Sequence, residues 1–121
     1  NKNKNINIAL SDPRALALSY IQNNKLESIG SSITEGIGTG RITNNFDKAS
    51  VDDAFQTDDT EALNLVYDLI EQHKIELGGS SGINIAGAIK LAKQMGPGKT
   101  MLQYSVIMEK DMRVKYSIKN F

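Results

Sequence analysis

Residues 75–90 read IELGGSSGINIAGAIK, and this stretch decides which kind of fold the chain can form. Residues 75–77 form a short strand-like segment with Ile75 and Leu77 on either side of Glu76, and residues 78–82 form a turn rich in glycine and serine. A helix is predicted after the turn, ending near Met95 before the helix-breaking Gly-Pro-Gly at residues 96–98. Its inward face is predicted to carry small or apolar side chains, namely Ile85, Ala88, Ile89 and Ala92. A strand, a tight turn and a helix that can approach a sheet closely indicate an α/β fold.

A similar strand and helix are predicted near the N-terminus. Apolar residues alternate with polar or small ones at three positions, Ile6, Ile8 and Leu10. This alternation is typical of a short strand. Asp12-Pro13 then gives a helix-start signal, with the carboxylate at the N-cap and proline at the first helical position. This helix is predicted to end at Asn23-Asn24.

Another helix is predicted in the middle of the chain. It begins near Asp58, because Asp58 and Glu61 have the spacing of a capping box, and Lys74 closes it. Its buried stripe follows the helical period and consists of Leu63, Val66, Tyr67 and Ile70. The face predicted to meet solvent consists of Glu61, Asn64, Asp68 and Gln72. With a further strand predicted over residues 100–107, strands alternate with helices, which predicts a mostly parallel sheet.

The composition excludes several kinds of protein. Apolar residues make up 40% and charged residues 23% of the 121-residue chain, a globular balance that fits one domain. Lys and Arg number 14 and Asp and Glu number 14, so no net field would recruit nucleic acid or an anionic membrane. The sequence has no apolar run of about 18 residues, and residues 1–7 lack the apolar core of a secretory signal. Cysteine is absent, which excludes disulfides and cysteine metal sites and makes a cytoplasmic location the expectation.

The turn at residues 78–82, GGSSG, is a candidate binding site. A glycine-rich turn at a helix N-terminus exposes backbone N–H groups and the positive end of the helix dipole, and serine adds hydroxyl donors. Such a turn can seat a phosphate, a carboxylate or a ring nitrogen. The alternative is a tight turn in which Ser80 or Ser81 is an ordinary N-cap, since such turns are common in α/β folds.

A second glycine-rich segment covers residues 28–45, which we call the glycine loop. It has no helical period, and a loop of this length suggests a function. Residues 36–40 read GIGTG and resemble part of a dinucleotide fingerprint, but they neither follow a clear strand nor open a clear helix. A loop that faces substrate fits better, because glycine lets the backbone approach a ligand and absorbs hinge motion.

The titratable residues give little sign of a catalytic set or a metal site. His73 is the only histidine and is predicted to lie at a helix C-terminus, where it complements the helix dipole. A Ser-His-Asp triad is therefore not expected. The acidic pairs at residues 52–53 and 58–59 lack the regular spacing of an oxygen-ligand cation loop. They are predicted to be solvated turns and caps.

Taken together, these motifs resemble one family of enzymes. Residues 31–42, SSITEGIGTGRI, resemble the EGIG loop of cysteine synthases and cystathionine β-synthases, and residues 77–84, LGGSSGIN, resemble their GGSSG turn. Residues 8–13, IALSDP, resemble the strand and turn before that loop, and the similarity runs from about Ile6 to Leu102. The resemblance implies that residues 1–102 are the C-terminal part of the large α/β domain of a fold-type II enzyme that depends on pyridoxal phosphate.

The resemblance also implies roles for individual residues. Ser80 matches the serine that hydrogen-bonds the pyridine nitrogen of the cofactor and leaves that nitrogen largely unprotonated. Gly36, Ile37 and Gly38 match the loop that closes over the bound substrate. The implied reaction replaces the acetoxy group of O-acetylserine with sulfide to give cysteine, in an enzyme expected to be a homodimer. Cystathionine β-synthase, in which homocysteine is the nucleophile, remains the alternative.

Part of the family's machinery has no counterpart in these residues. The family's Schiff-base lysine and its phosphate-binding loop lie N-terminal to the matching region, and no lysine of this chain occupies such a motif. The chain is therefore expected to be a fragment that contains no catalytic residue and is inactive alone. The rival interpretation is a non-catalytic product, either a truncated fragment or an anion-binding module that uses residues 78–82.

The C-terminal tail, residues 103–121, departs from the family pattern, which continues with a strand and a CDYGxRYxSKxFN-like stretch. Back-translation predicts a frameshift: one base inserted before Gln103 allows the reading TIFCDYGKRYASKIFNQEF. Most codons leave a choice, but Met108-Glu109 forces the glycine codon GGA in that frame. The source nucleotide sequence tests this prediction. A shifted frame that encodes no CDYG-like string would instead make the tail a divergent one.

Overall fold

The computed structural model describes residues 5–25, 27–28, 30–34, 36–38 and 40–103. Within these ranges the chain forms two parallel strands and four helices. The strands are β1 (Ala9–Asp12) and β2 (Asp53–Gln56). The helices are α1 (Leu16–Asn23), α2 (Asn44–Asp47), α3 (Asp59–His73) and α4 (Gly79–Met95). The predicted α/β class is confirmed, with a parallel sheet of two strands.

The two strands pair in parallel with their carboxyl ends level. Ala9 lies opposite Asp53 and Asp12 lies opposite Gln56. Strand β1 is shorter than the strand predicted from the alternation of Ile6, Ile8 and Leu10. Ile6 and Ile8 precede β1, and they are 54% and 43% exposed.

Helix α1 begins three residues later than predicted. Asp12 is not its N-cap, since Asp12 is still paired in the sheet and the chain turns through a left-handed Ala15 before the helix begins at Leu16. The Asp12 carboxylate nevertheless accepts hydrogen bonds from the backbone N–H groups of Arg14 (3.0 Å) and Ala17 (2.7 Å). The predicted end is confirmed, because Asn24 is the left-handed C-cap after Asn23.

Helix α3 follows the prediction closely. Asp58 is its N-cap and accepts a hydrogen bond from the Glu61 N–H at 2.8 Å, and Lys74 is its left-handed C-cap. Val66 is buried, and the other members of the predicted stripe are half-buried: Leu63, Tyr67 and Ile70. The predicted solvent face is exposed at Asn64, Asp68 and Gln72. Glu61 is the exception, because its carboxylate is paired with Lys90 at 2.7 Å.

The predicted inward face of α4 is wrong. Ile89 is 39% exposed and Ala92 is exposed, while the buried residues are Gly79, Ser81, Gly82, Ile83, Ala86 and Gly87. Helix α4 packs on α3 and β1 through glycine. A Cβ on Gly82 would lie 2.7 Å from the Ala62 carbonyl oxygen, and one on Gly87 would collide with the Ser11 side chain. Backbone contact, rather than the insertion of large apolar side chains, therefore sets the face that α4 buries.

Buried hydroxyl groups connect the sheet to α4. The Ser11 Oγ donates to the Ile83 carbonyl oxygen at 2.7 Å and lies 3.1 Å from the Thr57 Oγ1. Thr57 and Ile83 are fully buried. These bonds satisfy polar groups that would otherwise be buried without partners, so they fix α4 against both strands.

The strand predicted over residues 75–77 does not form, and the one predicted over residues 100–107 has no regular structure in its described part. Residues 75–77 contain a single bridge residue, Leu77, and Ile75 is 46% exposed. Residues 100–103 have no regular structure, while residues 104–107 and the rest of the predicted frameshifted tail lie outside the described residues. Among the helices of the described part, none has the length and apolar character needed to cross a bilayer.

Candidate active site

The candidate site lies at one edge of the sheet, which we call the carboxyl edge. Because β1 and β2 are parallel and Asp12 is level with Gln56, the segments that follow both strands emerge side by side. In open α/β sheets, ligands bind outside the carboxyl ends of the strands. The segments at this edge begin with Pro13-Arg14 after β1 and with Thr57-Asp58 after β2.

The first turn of α4 points toward the same edge. Near the C-terminus of α4, the Gln94 side chain donates to Asp53 at the start of β2. Nearer its N-terminus, Ile83 accepts the hydrogen bond from Ser11, close to the end of β1. Helix α4 therefore runs antiparallel to the strands, and the positive end of its dipole is directed to the carboxyl edge.

Ser80 and Ser81 face different environments in this first turn. Ser81 is 1% exposed and belongs to the core. Ser80 is half-buried, and its hydroxyl makes no hydrogen bond to any residue that the structure describes. Neither serine is the N-cap, which is Gly78 without a side-chain cap bond, so the alternative of an ordinary serine cap is wrong. The helix begins within the GGSSG motif, and the Ser80 hydroxyl has no hydrogen-bond partner among the residues that the structure describes.

The glycine loop also lies at the carboxyl edge, where it contacts the turn that follows β1. Its described residues are irregular as predicted up to residue 43, but Asn44 and Asn45, which were predicted as loop, belong to α2. Residues 29, 35 and 39 lie outside the described part. Gly36 and Gly38 have φ angles of +79° and +69°, which favour glycine. A Cβ on Gly38 would lie 2.8 Å from the Pro13 side chain, so the loop rests directly on the turn after β1.

The start of the loop is tied to the beginning of α3. The two oxygens of the Asp59 carboxylate accept hydrogen bonds from the Ser32 hydroxyl (2.6 Å) and from the Ile33 N–H (2.7 Å). Thr34 follows and is buried, with an exposed fraction of 8%. Sequence reasoning treated Asp59 as part of a solvated cap and missed this contact, because residues 32 and 59 are brought together by the fold alone.

The geometry brings Ser80 and the loop to one edge without joining them directly. In the described ranges, no hydrogen bond links Ser80 to residues 36–38. The Arg14 guanidinium lies beside the loop, with its Nη1 3.5 Å from the Gly38 carbonyl oxygen. Arg14 was also missed in the sequence, since nothing distinguishes it there from an ordinary surface arginine.

Two further titratable groups, Asp52 and Tyr20, lie in structural contacts. His73 is the exposed last residue of α3, as predicted, and Asp52 accepts a hydrogen bond from the Ile8 N–H at 2.7 Å. Tyr20 donates a hydrogen bond to Asp47, and this bond together with the carboxylate charge raises the pKa of the phenol. Within the part of the chain that the structure describes, no cluster of three metal-ligating side chains is found.

Comparison with curated proteins gives the decisive observation. The chain is 42% identical over 71 residues to a cysteine synthase of Dictyostelium discoideum. The aligned region covers 59% of the chain and 19% of that protein. It is 38% identical over 98 residues to cysteine synthase 1 of Emericella nidulans, covering 77% of the chain and 26% of the relative. The chain belongs to the cysteine synthase and cystathionine β-synthase family. The second branch is represented by a cystathionine β-synthase of Apis mellifera, 35% identical over 98 residues, with 81% of the chain and 19% of the relative covered. No family model matches the chain.

The chain spans about a fifth to a quarter of the length of these family members. The residues at the carboxyl edge fit a pyridine ring nitrogen, because the Ser80 hydroxyl is half-buried and has no partner in the described part of the chain.

Proposed function

We propose that the full-length protein is a cysteine synthase that depends on pyridoxal phosphate. It would replace the acetoxy group of O-acetyl-L-serine with sulfide, giving L-cysteine and acetate. Residues 1–102 would supply the C-terminal part of the large domain of a fold-type II enzyme. The observation that carries the proposal is the available Ser80 hydroxyl at the carboxyl edge, in a chain of this family. A cytoplasmic homodimer is part of the proposal, and the lack of cysteine supports that compartment.

Ser80 would hold the cofactor ring. Pyridoxal phosphate, when bound, withdraws electrons from the amino-acid substrate and so allows the bond to its β-substituent to break. The Ser80 hydroxyl would donate a hydrogen bond to the ring nitrogen. A neutral hydroxyl has no negative charge to stabilise a protonated ring, so the nitrogen would remain largely unprotonated, unlike a nitrogen paired with a carboxylate. The N-terminal dipole of α4 adds partial positive charge at the same place, which also disfavours a positively charged ring.

Gly36, Ile37 and Gly38 would form the substrate loop. The positive φ angles at both glycines turn the backbone sharply, and the space around Gly36 is open, with no atom within 4 Å of an added Cβ. Backbone N–H groups in such a segment can approach a substrate carboxylate without interference from side chains. Closure of the loop would exclude water from the substrate at the carboxyl edge.

Cystathionine β-synthase activity is the second candidate. The Apis mellifera relative with that name aligns over 81% of the chain, but its identity of 35% is lower than the 42% and 38% of the two cysteine synthases. We therefore favour sulfide as the nucleophile. Assays of the full-length protein with sulfide and with homocysteine would distinguish the two functions by their products.

Replacement of Ser80 by alanine tests the assigned cofactor contact. In full-length protein, Ser80→Ala is expected to lower kcat/KM about fivefold to 150-fold, the effect of losing about 1–3 kcal/mol of hydrogen bonding. It should also change the visible absorption and fluorescence of bound cofactor. Ser81→Ala is the matched control, because Ser81 lies in the same turn but is buried in the core.

Two results would contradict the assignment in different ways. If Ser80→Ala left activity and spectrum unchanged while Ser81→Ala altered both, the contact would belong to Ser81. If the unmodified full-length protein acquired no visible absorption band with added pyridoxal phosphate, the cofactor function itself would be wrong. The non-catalytic interpretation, an anion-binding or truncated product, would then stand.

A further inference from the structure

We propose that Asp59 is a positioning residue that fixes the start of the glycine loop at the carboxyl edge of the sheet. This inference rests on the proposed function only in assigning residues 36–38 to the substrate. The anchoring itself follows from contacts between Asp59 and residues 32–34.

Both oxygens of the Asp59 carboxylate are used on the loop. Oδ1 accepts from the Ser32 hydroxyl at 2.6 Å and Oδ2 accepts from the Ile33 N–H at 2.7 Å. The Ser32 Oγ in turn accepts from the Thr34 N–H at 3.1 Å and lies within hydrogen-bonding distance of the Thr34 hydroxyl. Hydrogen bonds to an ionised carboxylate are short and about twice as strong as neutral ones. Asp59 therefore orders three successive loop residues through one charged group.

Asp59 is not needed to cap its own helix. The N-cap is Asp58, which accepts the Glu61 N–H at 2.8 Å. Asp59 is the first helical residue, where the α3 dipole favours a negative charge. The two adjacent aspartates therefore have different partners. Asp58 caps the helix, and Asp59 accepts hydrogen bonds from the loop.

The loop's second contact is weaker. Arg14 Nη1 lies 3.5 Å from the Gly38 carbonyl oxygen, at the outer limit of a hydrogen bond. The bonds that Asp59 accepts are shorter and charge-assisted, so they hold the loop more firmly than this Arg14 contact does. From Thr34 to Ile37 is three residues, so the fixed start keeps the loop tip within about 11 Å of Thr34 even when the backbone is fully extended.

Amide hydrogen exchange in full-length protein, measured for Asp59→Ala and for Asp58→Ala, tests the proposal. In Asp59→Ala the Ile33 amide should exchange about tenfold to a hundredfold faster, the size expected for losing a hydrogen bond to a charged group. Exchange at the amides of residues 36–38 should also accelerate. The amides of α4 should keep their protection, which would show that the variant is folded. Asp58→Ala, the matched control, should accelerate exchange at the Glu61 amide and leave Ile33 unchanged.

A kinetic measurement separates positioning from a structural role. Asp59→Ala should raise the KM for O-acetylserine about tenfold with the cofactor spectrum unchanged, as expected when uniform substrate binding is lost. Asp59→Asn, which retains one carbonyl acceptor, should fall between wild type and alanine in exchange and in KM. Unchanged exchange at Ile33 in Asp59→Ala, or equal acceleration in Asp58→Ala, would overturn the anchoring. If the unmodified protein turned over no O-acetylserine, the proposed function would fail, and the exchange data would still decide the role of Asp59.

Discussion

Gly82→Ala is expected to destabilise the fold strongly, although alanine is the better helix former. The added Cβ would lie 2.7 Å from the Ala62 carbonyl oxygen and 2.8 Å from the Val66 Cγ2. Alanine would gain about 1 kcal/mol in helix propensity. Overpacking costs about 1–3 kcal/mol and more where the neighbour is backbone. Because the Ala62 carbonyl oxygen belongs to α3 and cannot rotate away, α3 and α4 must separate, and we expect a net loss of about 2 kcal/mol in the free energy of unfolding.

Denaturant unfolding of full-length protein measures this effect. Gly40→Ala is the control, since the nearest atom to its added Cβ is the Arg14 Nη1 at 3.9 Å, an ordinary contact. That variant should match wild type within about 0.5 kcal/mol, as surface substitutions usually do. If the Gly82→Ala protein were as stable as wild type, Gly82 would not lie as close to the Ala62 carbonyl oxygen as the structure shows.

Helix ends were predictable from sequence because short-range chemistry determines them. Asp58 can cap α3 and Lys74 can close it without any contribution from distant residues. The same holds for Asn24, whose left-handed conformation ends α1, and for Gly96, which follows the last residue of α4. Where a cap depended on the sheet, prediction failed: Asp12 remains in β1, so α1 begins only at Leu16.

The buried face of α4 was not predictable from its own periodicity. The pattern favoured Ile89 as an inward residue, yet Ile89 is 39% exposed and the helix packs through Gly82 and Gly87. Glycine scores as neither apolar nor inward in a periodic analysis, and only the partner backbone shows that no Cβ fits. The strand predicted over residues 75–77 failed for a different reason, since two apolar residues that flank a glutamate form a strand only where the sheet offers them an edge.

Part of the candidate site was likewise predictable from the sequence, and part of it was not. The glycine patterns pointed to the turn that contains Ser80 and to the glycine loop, the family resemblance gave Ser80 and Gly36 to Gly38 their roles, and those roles remain predictions. Asp59 was overlooked because its partner Ser32 lies 27 residues earlier, and neither residue forms a local motif with the other. Contacts of this kind depend on the parallel register that brings the carboxyl ends of β1 and β2 together.

The 121-residue chain alone is expected to show no turnover of O-acetylserine with sulfide. The chemistry needs an amine that can bind the cofactor covalently within a site shielded from water, and the described lysines do not offer one. Most are exposed: Lys25, Lys48, Lys74, Lys93 and Lys99. Lys90 is half-buried, but its Nζ donates to the Gln56 carbonyl oxygen at 2.6 Å and to the Glu61 carboxylate at 2.7 Å. An amine held in two such bonds is a structural link between α3, β2 and α4.

The measurement is the rate of cysteine formation by the purified chain with added pyridoxal phosphate, compared with a reaction without protein and with full-length protein. We expect the rate of the chain to equal the protein-free rate. Turnover by the chain would contradict this prediction. Loss of that turnover in Lys90→Arg would then assign the reactive amine to Lys90, because arginine preserves the positive charge beside Glu61 but cannot form the covalent bond.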